Sequence, residues 1–260
     1  MPELSIDGRR IDYDAWGEGP ETVVFVHGGF GSSSNLWART AAALPDGVQA
    51  VAPNLFLRSD PPADGYNVAS FAGHVAAFVE ALGLAPATFV GHSMGGVVCQ
   101  LIGARHGHVA KRLGLVCTGP NIRNHGVALS LMDQLVEGGQ TRENMTDIAR
   151  HWFHEIPDQA AFDAYVEDSM AAPLDAMISA QQSLIDMDVE PELPSIQAPT
   201  LILHGVKDHG RTMDHAERLK AGITNSELVL FVESGHAPMW EEPSAFDRAL
   251  RRFLQSPVPA

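Results

Sequence analysis

The chain has 260 residues, 45% of them apolar and 19% charged, with a formal net charge of −15 at neutral pH. That is the composition of one globular domain with a generous core, and so much negative charge opposes a phosphate backbone, so nucleic acid is excluded as a partner. No apolar stretch reaches membrane-spanning length, and the opening Met1-Pro2-Glu3-Leu4-Ser5 has no basic start followed by an apolar run, so no membrane partner is expected and a cytoplasmic location is.

In chain order, Leu4 to Gly8 and Arg10 to Trp16 alternate around a glycine turn and predict an antiparallel hairpin. The runs that follow are near-continuously apolar: Thr22–Val26, Val48–Ala52, Ala87–Val90, Arg112–Cys117, Thr200–Leu203 and Glu227–Val232. Such runs predict strands covered on both faces. Helical segments separate most of them, among them Val68 to Leu82, which Gly83 terminates. Alternating strands and helices imply a mostly parallel sheet.

The first of these parallel strands leads into His27-Gly28-Gly29-Phe30-Gly31, a flexible loop whose backbone N–H groups can turn inward. The strand at Ala87–Val90 leads into Gly91-His92-Ser93-Met94-Gly95, a serine with glycines two residues to either side. A serine on so sharp a strand-to-helix turn must take a strained backbone, which crowds its neighbours unless they lack side chains. The apolar helix after it aims its positive N-terminal end at the serine.

Between about Asn121 and Ser195 no strand-like run occurs. Four helices are expected there, at 126–137, 142–153, 158–170 and 174–187. Residues 121–195 therefore read as an inserted helical lid on a core made of 1–120 and 196–260. Its Met132, Met145, Trp152, Phe153, Phe162, Met170 and Met177 either line an apolar pocket or pack the helices together. Cys99 and Cys117 fall in apolar segments, as buried reduced thiols, and no Cys/His spacing indicates a structural metal. Residues 256–260 read as a frayed tail.

Catalysis by a serine needs a base, a group to orient the base, and donors for the oxyanion. His236, between Gly235 and Ala237-Pro238 just after the last apolar run, is the candidate base for Ser93. Asp208, beyond the preceding strand, is the candidate orienting carboxylate, with a turn or helix cap as its plainer role; Asp214 reads as a solvated helical residue. Met94 and Gly29, or Phe30 in place of Gly29, are the candidate oxyanion donors. His27 is read as an anchor for its loop and His92 as a packing residue.

The order of His-Gly loop, Gly-His-Ser-Met-Gly, late aspartate and C-terminal Gly-His resembles the α/β-hydrolase superfamily over nearly the whole chain. The resemblance implies an eight-stranded, mostly parallel sheet flanked by helices, with the nucleophile after the fifth strand and a helical cap inserted after the sixth. A serine at the elbow points away from dehalogenases and epoxide hydrolases. Many relatives carry Asp-x-x-Gly-x-Gly-x-Ser after the fourth strand; this chain has Asn54-Leu55-Phe56-Leu57-Arg58-Ser59 instead, which either reshapes the pocket mouth or packs against its own helix.

The expected activity is hydrolysis of a small or medium-sized, mostly apolar carboxylic ester or lactone through an acyl-enzyme, with no cofactor and no metal. Other readings are cleavage of carbon–carbon bonds in diketone-like products, a cofactor-free haloperoxidase or perhydrolase, and a ligand receptor on the hydrolase fold. Carbon–carbon cleavage calls for a fixed basic group on a substrate carboxylate, for which Arg58 and Arg123 are the candidates. Strongly anionic substrates are expected to suffer long-range repulsion, and the oligomeric state, a homo-oligomer included, is left open.

Overall fold

The computed structural model describes residues 2–122 and 126–257. The expected hairpin is β1 (Glu3–Ile6) and β2 (Arg9–Trp16), turning at Asp7-Gly8 with both residues at positive φ, the conformation a two-residue hairpin loop requires. Six further strands follow: β3 (Glu21–Val26), β4 (Val48–Pro53), β5 (Ala87–His92), β6 (Ala110–Val116), β7 (Thr200–Gly205) and β8 (Ser226–Phe231). They join in the order β1-β2-β4-β3-β5-β6-β7-β8, antiparallel where β2 meets β1 and β4, and parallel from β4 to β8.

Helices α1 (Ala38–Ala42), α2 (Val68–Ala81) and α3 (Met94–Arg105) connect the first parallel strands. The α2 start is set by Asn67, whose side chain accepts the Ser70 N–H, and its end by Gly83 at φ +69°. The period of two along β3 divides the core into two layers. Val24 and Val26 face one cluster with Phe71, Phe89 and Leu101, while Val23 and Phe25 face the other with Trp37, Phe246 and Leu250.

β8 departs from the expectation of a strand covered on both faces. It lies at the sheet edge, with Leu230 44% exposed and Val232, just past its end, 59% exposed. An apolar run alone does not distinguish a central strand from an edge, because what covers it comes from elsewhere in the chain.

All four expected helices of the insertion form between β6 and β7: α4 (Gly126–Gly138), α5 (Arg142–Arg150), α6 (Gln159–Ala171) and α7 (Leu174–Asp186). The segment leaves and returns through a narrow neck, where Asn121 bridges Asp188 and the Val189 N–H donates to the Pro120 carbonyl at 2.9 Å. α5 stops at Arg150 rather than continuing to Phe153. Trp152 and Phe153 lie in a turn that carries their rings onto Phe30 and onto Phe162 and Trp240, where burial outweighs two more helical residues. Of the large apolar residues named in this segment, Trp152 lines a cavity together with Ser93, whereas Met145, Phe162 and Met177 are packed out of contact with solvent.

After β7, α8 (Met213–Gly222) leads to β8, and α9 (Pro238–Glu241) and α10 (Pro243–Gln255) complete the described chain. Ser93, Asp208 and His236 follow β5, β7 and β8, all at the carboxyl ends of parallel strands, where such sheets place ligands. Among the described residues no helix is long and apolar enough to cross a membrane.

Candidate active site

Ser93 takes φ 53° and ψ −115°, a region that costs a residue with a side chain of order 1–3 kcal/mol. The neighbours fix it there. Its N–H donates to the Val116 carbonyl at 2.9 Å, and its carbonyl accepts the Thr118 hydroxyl at 2.7 Å and the Gly96 N–H at 3.0 Å. A Cβ on Gly91 would lie 2.2 Å from the Gly95 carbonyl oxygen, and one on Gly95 would lie 2.3 Å from that of Val26. Both glycines are thus required by backbone, as their spacing around the serine predicts.

Asp208 and His236 are buried and joined by a hydrogen bond of 2.6 Å from His236 Nδ1–H to Asp208 Oδ2. The other carboxylate oxygen, Oδ1, accepts the backbone N–H groups of Gly210 and Arg211, each at 2.8 Å. The turn contacts and the contact with His236 therefore coexist, one on each oxygen of Asp208. Burial alone would raise its pKa, but the electrostatic pull of the adjacent imidazole and these hydrogen bonds outweigh it and hold the carboxyl below its ordinary value. With Nδ1 protonated, Nε2 of His236 is left with a lone pair, the state a general base needs. Asp214 sits in the first turn of α8, largely exposed, with Arg218 at 3.6 Å.

His92 stacks edge-on against His236 at 4.7 Å, and its Nε2–H donates to the His236 carbonyl at 2.8 Å. Burial and the neighbouring imidazole lower its pKa to about 3. His27 is anchored through both nitrogens: Nδ1–H donates to the Gly28 carbonyl at 2.8 Å and Nε2 accepts the Leu55 N–H at 2.9 Å. Both histidines thus hold loops in place.

Ser93 and His236 line one cavity of about 20 Å³, room for about one water. Phe30, Trp152, Gly210 and Arg211 share it, and Ile122, Val127, Leu131 and Leu184 supply an apolar wall. Phe30 has a positive φ of 53°, and Gly29 abuts the Gln181 side chain, which also faces the cavity. The N–H groups of Gly29, Phe30 and Met94 have no hydrogen-bond acceptor among the described residues.

A sequence model described as the alpha/beta hydrolase family matches residues 23–249. The chain belongs to this family and is a hydrolase. A 2-hydroxy-6-oxononadienedioate/2-hydroxy-6-oxononatrienedioate hydrolase of Paraburkholderia xenovorans is 27% identical, over 94% of this chain and 90% of its own. Two solved structures share the fold: an esterase from Exiguobacterium antarcticum (TM-score 0.87, 24% identity, 96% of this chain and 97% of that one) and an enol-lactonase from Burkholderia xenovorans (TM-score 0.88, 22%, 98% and 100%).

In this hydrolase the unusual segment after β4 packs inward. Leu55, Phe56 and Leu57 are buried, with Phe56 against His27, Tyr66 and Phe71, and none of the three lines the serine cavity. Arg58 is half-exposed beside Asp12, Nε to Oδ2 3.1 Å, and Arg123 lies outside the described residues. Among the described residues the arginine that lines the cavity is Arg211, which the sequence reading did not consider.

Sequence reasoning also missed two carboxylates. Glu241 Oε2 accepts the N–H groups of Gly235 and Ala237 at 3.0 and 3.2 Å, and Glu242 Oε2 accepts the Ser234 hydroxyl at 2.7 Å and the Glu233 N–H at 3.0 Å. Together they hold the loop that carries His236. Among the described residues, Cys117, Asp208 and His236 present atoms within 4.8 Å of one another that could ligate a metal. Holding one would break the Asp208–His236 bond and deprotonate a thiol that burial, then the Asp208 charge, keeps protonated.

Proposed function

We propose that this hydrolase cleaves a small to medium carboxylic ester or lactone through an acyl-enzyme on Ser93. The observation that carries the reading is the buried 2.6 Å Asp208–His236 bond beside a serine held in a strained elbow. Ser93 Oγ attacks the carbonyl carbon while its proton passes to His236 Nε2, and Asp208 stabilises the imidazolium. The Met94 N–H, with that of Gly29 or Phe30, receives the oxyanion. His236 then gives its proton to the leaving alkoxide. In the second half it takes a proton from water, whose oxygen attacks the acyl carbon, and Ser93 recovers that proton as the acid departs.

The small-molecule substrate would enter between the core and the segment 121–195, acting as a cap. No cofactor takes part. Labelling by a fluorophosphonate and turnover of short-chain esters and lactones, each abolished in Ser93→Ala, are the expected results. An unlabelled native protein that turns over no member of the panel overturns the reading.

A second reading is hydrolysis of a carbon–carbon bond next to a carbonyl, supported by the resemblance to the dienedioate hydrolase from Paraburkholderia. Offering a 2-hydroxy-6-oxo-dienoate beside the ester panel separates the two by which substrate has the higher kcat/KM.

A further inference from the structure

Arg211 is 3% exposed, yet it shares the cavity with Ser93 and His236. Its backbone N–H is used by Asp208, but its guanidinium donates no hydrogen bond to any described residue, and its Nε–H is closed off from solvent without an acceptor. The Asp208 carboxylate does not supply one, since one oxygen takes His236 and the other takes two backbone N–H groups. Burial lowers the Arg211 pKa to about 10, with Asp208 opposing the shift, so the group stays cationic at neutral pH. Burying an unpaired cation is costly, and here the cost falls in the cavity shared with Ser93 and His236, where a substrate could supply the missing anion.

We propose that Arg211 is a specificity residue that binds a carboxylate, or an equivalent anionic group, carried by the substrate a few atoms from the scissile carbonyl. The inference rests on Ser93 and His236 acting on a substrate in this cavity, and it narrows the mostly apolar substrate of the sequence reading. A guanidinium offers two parallel N–H groups to a carboxylate, and in a water-poor cavity the pair is strong. The apolar wall from Ile122 to Leu184 would cover the carbon chain in between. The net charge of −15 opposes anions from a distance, but salt screens that field within about 8 Å, whereas Arg211 acts at contact.

The test compares mono-4-nitrophenyl glutarate, an anionic ester, with 4-nitrophenyl pentanoate, its neutral counterpart. Wild type should prefer the glutarate, and Arg211→Met should lower the ratio of the two kcat/KM values by about 10- to 100-fold, with Arg211→Lys in between. The ratio cancels any general damage to the triad, so an unchanged ratio in Arg211→Met overturns the proposal. A binding measurement frees the result from turnover. By calorimetry, Ser93→Ala should bind glutarate and ignore glutaramide, a comparison that stands even if the Arg211 variants do not fold. Glutarate bound through Arg211 by a protein that turns over neither ester keeps the anion subsite and removes the ester reading. Turnover of both esters without preference, and without glutarate binding, does the reverse.

Discussion

The backbone N–H of His236 donates to the carbonyl oxygen of Trp152 at 2.9 Å, and the two rings lie 5.1 Å apart. Trp152 belongs to the inserted segment and His236 to the loop after β8, so the candidate base is tied to the segment that closes over it. Glu241 doubles the tie. Its Oε1 accepts the N–H groups of His154 and Glu155 at 2.7 and 3.2 Å, while its Oε2 holds Gly235 and Ala237 on either side of the histidine.

Glu241→Ala should therefore loosen both segments at once. Four backbone donors lose a charged acceptor, and such bonds are worth about 1.5–3 kcal/mol each when well shielded, less near solvent. The expected result is a fall of roughly 10-fold or more in kcat/KM with a stability loss of about 1–3 kcal/mol. Kinetics and urea unfolding of the same preparation check it. Wild-type rates in the variant would mean that the glutamate only decorates the turn.

Asp208→Asn should leave the fold intact and remove most of the activity. The asparagine oxygen can keep the Gly210 and Arg211 N–H groups, which directs its amide nitrogen at His236. Two donors cannot face each other, so the imidazole must move its proton to Nε2 and loses the lone pair aimed at the cavity. In a serine triad this change costs about 10⁴-fold in kcat. Circular dichroism close to that of wild type beside a rate loss of that order is the expected pair of results; a small loss would remove Asp208 from the orienting role.

The glycines around Ser93 and in the loop after β3 should respond differently to alanine. A Cβ on Gly91 or Gly95 would lie 2.2–2.3 Å from main-chain oxygens, which cannot retreat without moving strands. Gly29 meets the end of the Gln181 side chain, a group that can swing away. Gly91→Ala and Gly95→Ala should thus lose more than about 4 kcal/mol or fail to fold. Gly29→Ala should fold and show its effect in KM and kcat. Thermal denaturation of the three variants ranks them, and a Gly91→Ala protein as stable as Gly29→Ala would contradict the elbow geometry.

The contrast between what was and was not legible follows from range. That Ser93, Asp208 and His236 come together as candidates was legible because each is marked by its own local pattern: a glycine bracket, a turn after a strand, a Gly-His before proline. Strands and inserted helices were legible for the same reason, since period and punctuation are local. Arg211, Glu241 and Glu242 were not. Their roles come from groups that meet only in the folded chain, and in a sequence with 32 acidic residues a carboxylate that accepts backbone N–H groups looks like any solvated one. The end of α5 was misread because the rings of Trp152 and Phe153 gain more from distant aromatic partners than from another helical turn.

His27 and His92 make the fold sensitive to mild acid. Each is neutral and buried, with pKa values lowered chiefly by burial to about 4 and about 3 from an ordinary 6.5. In the unfolded chain both take up a proton as pH falls past 6.5, while the folded chain refuses it, so stability is complete above that value and declines below it. Each histidine contributes a slope of up to about 1.4 kcal/mol per pH unit, continuing down to its folded pKa. Asp208, depressed below its ordinary value, adds loss of the same sign once pH drops under the unfolded carboxylate range. Relief of the −15 charge works the other way, and His74 and His204, whose pKa values are also lowered by burial, add to the loss, but these contributions are common to wild type and a His27 variant and cancel in their comparison. Urea unfolding between pH 6.5 and 5 should show wild type losing stability and His27→Gln losing it with a mean slope lower by about 1 kcal/mol per unit, because His27 of the unfolded chain is only half protonated at pH 6.5. Protonation of His27 would also strip the Leu55 N–H of its acceptor, so an equal slope in the two proteins would mean that the Nε2 lone pair does not hold that loop.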